Sequence, residues 1–115
     1  MSFSASQIPF SPLGKTIKLT AAAVAPSPVQ APVEAGQTSA GQYRIVNSGT
    51  VVVFLGVGST SALAAANAQV VTSSQQSIPL LPGACEVLRF TADAYFTGIT
   101  GSGSADVFVT PGQGL

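Results

Sequence analysis

Thr50-Val51-Val52-Val53-Phe54-Leu55-Gly56-Val57 is the most apolar run in this chain, and β-branched residues dominate it. Periodicity alone does not separate such a run from a buried helix. Its β-branched content and its bracketing by Asn47-Ser48-Gly49 and Gly58-Ser59 predict a strand. Val51, Val53, Leu55 and Val57 fall on one face, and Val52 and Phe54 on the other. A strand apolar on both faces is covered on both. One face is expected to meet a second sheet of the same domain. The other calls for a loop, an arm or another subunit.

Upstream, Gln42 to Asn47 reads as a strand with Tyr43 and Ile45 inward. Asn47-Ser48-Gly49-Thr50 reads as a tight hairpin turn into the apolar run, because Asn and Gly tolerate positive φ. Earlier still, Lys15 to Ala21 alternates, with Ile17, Leu19 and Ala21 on one side and Thr16, Lys18 and Thr20 on the other. That is a half-buried strand, which Ala22 to Ala25 could extend. Pro26 to Pro32 is an extended crossing, since its prolines cannot supply a full ladder. Residues 33–41 continue as a loop.

Downstream, Ser59 to Ala68 has helix propensity and a cap at Ser59 or Ser61, and predicts a short helical turn or an irregular loop. Gln69 to Thr72 suggests a short strand. Ile78 to Leu81 leads into Pro82-Gly83, a type II turn signature. Cys85 to Thr91, Tyr95 to Ile99 and Ala105 to Thr110 are further strands, the last stopped by Pro111-Gly112. Asp93 is expected to fix the turn before Tyr95 through its side chain. Seven to eight short strands at roughly ten-residue spacing predict an all-β antiparallel β-sandwich. No helices alternate with them, which excludes α/β.

The 115 residues suffice for one domain. The expected division is an extended N-terminal arm, 1–14, and a single sandwich, 15–115. Pro9, Pro12 and Gly14 break regular structure in the arm, yet Phe3, Ile8, Phe10 and Leu13 are apolar. These four are the candidate partner-binding residues. They are expected either to fold back on their own domain or to dock on a neighbour. Met1 to Ser4 has neither a basic nor an apolar signal region, so no signal peptide is expected.

Only 7% of residues are charged and the net charge is zero, against about a quarter charged in an ordinary domain. No charged residue occurs from Ile45 to Cys85. Such a surface does little to repel protein neighbours. Lys15, Lys18, Arg44 and Arg89 are too few and too scattered for a nucleic-acid groove. The uncharged window 51–71 is broken by Gly56, Gly58, Ser59, Asn67 and Gln69, so no membrane span is expected.

The search for chemistry is mostly negative. The chain has no histidine, which removes the Ser-His-Asp and Cys-His arrangements and most zinc sites. Cys85 is the only cysteine; it is expected to be a small buried strand residue, as suits a protein made in a cytosol. Glu86 and Asp93 could meet across a hairpin as a carboxylate pair, but turn capping or solvated edge charges explain them better. Gly56 to Ser61 lacks the ending of a phosphate loop. No enzyme activity, cofactor or metal is expected.

The turn and strand signals of Asn47 to Phe54, Ile78 to Gly83, Tyr95 to Ile99 and Val107 to Gly112 resemble those of tailed-bacteriophage capsid decoration (cement) proteins. The resemblance implies a jelly-roll-like sandwich on the outer capsid surface of the virion, made in the host cytoplasm. It implies a homodimer or homotrimer that bridges subunits of the major capsid protein. The alternative is a virion-borne module for a host receptor or glycan, which calls for exposed aromatics near Tyr43 or Tyr95.

Overall fold

The computed structural model describes residues 9–38 and 41–114. Among them the chain forms β1 (Ser11–Pro12), β2 (Ile17–Ala21), β3 (Val29–Gln30), β4 (Gln42–Asn47), β5 (Val53–Gly58), α1 (Ser61–Asn67), β6 (Ile78–Leu80), β7 (Cys85–Arg89), β8 (Tyr95–Ile99) and β9 (Ala105–Gln113). The strands make two antiparallel sheets. In the first, β1 and β2 share one edge of β9, followed by β4 and β7; the second runs β3-β8-β5-β6.

The topology has a simple origin. β2 pairs with β9, β3 with β8, β4 with β7 and β5 with β6. The chain is therefore doubled back on itself as one long hairpin, with α1 in the segment at its bend. The β4–β9 and β5–β8 ladders then roll that double ribbon into two layers. This is the jelly roll; besides the short β1 it has eight strands, of which β3 lies in the segment read as an extended crossing.

Rolling overturns one local expectation. Asn47-Ser48-Gly49-Thr50 does not close a hairpin, because β4 and β5 lie in different sheets. Asn47 instead bends the chain between layers. Its side-chain oxygen accepts from the Gly49 N–H at 3.0 Å, and its amide donates to the carbonyls of Val51 (3.0 Å) and Leu80 (2.9 Å). The β6–β7 turn closes on the same residue. Gly83, at φ 76° in the Pro82-Gly83 type II turn, donates its N–H to the Asn47 carbonyl at 2.9 Å.

The core follows the alternation. Leu19 and Ala21 of β2, Tyr43 and Ile45 of β4 and Val107 and Val109 of β9 meet Val53 and Leu55 of β5, Leu80 of β6 and Phe96 of β8. Tyr43 and Phe96 stack edge-on, ring centres 4.9 Å apart, and Phe90 packs against both. Tyr43 is fully buried yet satisfied. Its hydroxyl donates to the Thr91 carbonyl at 2.8 Å and accepts from the Ala94 N–H at 3.0 Å, which ties the β7–β8 crossover to β4.

The Gly56–Gly58 end of the second face of β5 is covered by its own chain, whereas Val52 and Phe54 of that face are half-buried beside an open hollow. α1 lies across Gly56 and Gly58, where an ideal Cβ would stand 2.5 Å from the Ala64 carbonyl oxygen and 2.6 Å from the Ala64 nitrogen. Only glycine lets the helix approach that closely. Thr60, rather than Ser59 or Ser61, caps α1 by accepting from the Leu63 N–H, and the Asn67 amide donates to the Val57 carbonyl at 2.9 Å. Residues 69–72 form no strand. Gln75 instead accepts the N–H groups of Thr72 and Ser73 in an irregular turn.

Pro111-Gly112 does not stop β9, which runs on to Gln113. In an antiparallel strand one residue's N–H and C=O point the same way. The ring nitrogen and carbonyl of Pro111 face the gap between β1 and β2, where the carbonyl accepts from the Leu13 N–H at 2.9 Å. The missing donor therefore falls outside the β4–β9 ladder.

Candidate functional site

Charge is divided between the layers. Lys18, Arg44, Glu86, Arg89 and Asp106 all lie on strands of the β9 sheet, whereas β3, β8, β5, β6 and α1 carry no charged residue. Lys15, Glu34 and Asp93 lie in connections. The sequence suggested scattered cations; the register gathers them. Leu19, Ile45, Val107 and Val109 are buried, so alternation turns Lys18, Arg44 and Phe108 outward.

Cross-strand register orders that outer face. Lys18 lies opposite Phe108, Phe108 opposite Val46, and Val46 opposite Cys85. In the next row Arg44 has Thr110 on one side and Val87 on the other. Thr16 and Thr110 join through their hydroxyls at 2.7 Å. Arg89 pairs with Gln42 one row further on. The one carboxylate of this face, Asp106, accepts from the Thr20 hydroxyl at 2.7 Å. Cys85 is exposed at the edge of the face, contrary to the expected buried position, because it turns outward opposite Val46 on β7, which among the described residues has no strand beyond it.

The N-terminal segment joins this face. Ser11 and Pro12 pair with Gln113 and Gly112. The Phe10 ring packs on Gly112, where an ideal Cβ would come within 2.3 Å of the ring. Leu13 is half-buried and held by backbone bonds to Pro111 and Glu34. Phe10 and Leu13 thus lie on their own β9 sheet, whereas Phe3 and Ile8 fall outside the described residues. Phe10, Pro12, Thr16, Arg44 and Thr110 line an open hollow of about 390 Å³.

A second cleft, of about 380 Å³, opens at the rim between the layers, with Leu55, Val57, Ile78 and Phe90 as apolar walls and Asn67 and Thr91 among its polar groups. No ionisable side chain lines it. The carboxylate pair is not assembled across a hairpin. Glu86 lies opposite Ile45 on β7 of one sheet, and Asp93 precedes β8 of the other. Asp93 shapes its turn through the backbone, at φ 52°, a left-handed conformation that Asp tolerates. Among the described residues no cluster of His, Cys, Asp or Glu could hold a metal ion, and no helix is long and apolar enough to cross a membrane. Tyr43, one of the two tyrosines that could have offered a sugar platform, is buried and its hydroxyl is fully engaged.

The gathering of cations on one face was not legible in the sequence. The alternation of Lys15 to Ala21 and of β4 gave the outward residues, but nothing local says that β2 and β4 flank the same strand. No family model, no curated protein and no solved structure matches this chain.

Proposed function

We propose that this chain is a structural virion protein that decorates and stabilises a bacteriophage capsid by bridging subunits of the major capsid protein, with copies of itself as further neighbours. The observation that carries the reading is the charge-free layer. An entire sheet and its covering helix hold no ionic group, and Val71 and Leu81 stand exposed beside it. Crowding such a surface against proteins costs little charge desolvation and meets no like-charge repulsion. The jelly roll is a fold used by capsid and lectin domains alike, so it supports the reading without selecting it. The turn and strand signals that resemble those of decoration proteins favour the capsid reading over the lectin one.

The test is direct. The purified protein is mixed with expanded heads of the phage that encodes it, prepared without this chain. Co-sedimentation at a fixed, saturable number of copies per head, with heads more resistant to heat, is the expected result. Heads that neither retain the protein nor gain stability refute the reading.

A further inference from the structure

We propose that the outer face of the β9 sheet is the docking surface for an acidic protein surface, with Arg44 and its hollow receiving a partner carboxylate. The inference rests on the decoration reading for the identity of that partner, the capsid shell. Its physical basis is separate: one face collects nearly all the ionic groups that the strands possess.

The sign of the face follows from its register. Among the described residues Lys18 and Arg44 lie on it with Asp106 as the carboxylate, whose one oxygen the Thr20 hydroxyl already occupies, and Arg89 lies on the same face opposite Gln42. A chain of zero net charge thus presents a cationic side. Glu86 stands on the opposite face of β7, in register with buried Ile45. The centre of the cationic side is apolar. Phe108, Val46 and Val87 are half-buried between the cations, and Phe10 lies over Gly112 beside them. Aromatic and arginine residues around a dry centre are the composition of a protein interface, with charges at the rim setting partner choice. At the hollow, Arg44 sits beside the Thr16–Thr110 hydroxyl pair and the Phe10 ring. A guanidinium with adjoining hydroxyls suits a carboxylate. Nucleic acid is the poorer match, since so few cations would neutralise few phosphates.

The experiment uses the full chain and its one thiol. Binding to the phage heads is measured at low and high salt for the wild type, the double variant Lys18→Glu/Arg44→Glu, and Ser27→Glu, an exposed position in the β2–β3 connection outside both faces. The double variant is expected to bind at least about tenfold more weakly and high salt to weaken the wild type severalfold, with Ser27→Glu unchanged. Modification of Cys85 by a maleimide is expected to slow on bound heads. Amide spectra of each variant confirm its fold. Equal binding by the double variant, or unslowed Cys85 labelling, overturns the inference while leaving the decoration reading intact. If the wild type ignores heads, the decoration reading falls, and titration with poly-L-glutamate decides the surface. Amide shifts confined to β2, β4, β7 and β9 then uphold it; shifts elsewhere, no shifts, or stronger binding of short duplex DNA overturn it.

Discussion

Tyr43 shows how one side chain joins parts of the chain that are distant in sequence. Its ring lies in the core while its hydroxyl bridges Thr91 and Ala94. Tyr43→Phe keeps the ring and leaves a carbonyl and a buried N–H without that partner. We expect a loss of about 1–3 kcal/mol in denaturant unfolding. Gly56 makes the complementary case, because its missing side chain is the feature that packs. Gly56→Ala puts a methyl group against the helix backbone, which cannot swing aside as a side-chain tip would. The expected cost is about 1–3 kcal/mol, read as a lower urea midpoint with an unchanged slope.

Among the elements, α1 and β1 each close a surface that the sandwich strands leave open. α1 has only seven residues, too few to persist alone. It survives because Ala64 and Ala68 pack onto the β5 glycines and Thr60 caps it. Thr60→Ala is expected to cost about 1 kcal/mol, with faster hydrogen exchange confined to α1. β1 occupies the end of the β9 edge and places Phe10 over Gly112. Truncation to Lys15 removes both. It is expected to lower stability by about 1–3 kcal/mol, through lost apolar cover and lost backbone bonds. An unchanged melting curve for the truncated chain would show that β1 contributes nothing.

The molecule as a whole is held by pairings remote in sequence. β2 meets β9 almost at the other end of the chain, with Ile17 opposite Val109. Nearly all loop-closure entropy is therefore met before the ladders return it. Refolding is expected in milliseconds to seconds rather than microseconds, and a stopped-flow dilution from urea measures it. The division into a charged sheet and an uncharged one also exists only at this level, since each charged strand reaches its sheet through a partner far along the chain.

Local chemistry was enough for the longer strands, though it missed β1 and β3 and offered a strand at 69–72 that does not form. Alternation at Lys15 to Ala21, the β-branched run before Gly58, and Pro82-Gly83 with its left-handed glycine each express a preference of the residues involved, and a preference needs no distant neighbour. Periodicity likewise named Tyr43 and Ile45 as inward. It could not say which strands pair. Asn47-Ser48-Gly49-Thr50 has the composition of a hairpin turn, and only the position of Leu80, in the other sheet, makes it a passage between layers. Pro111 reads as a strand end until Leu13 and the gap between β1 and β2 come beside it. Backbone hydrogen bonds are satisfied between whichever strands packing brings together, so the partners, the exposed Cys85 and the cationic face were decided in three dimensions.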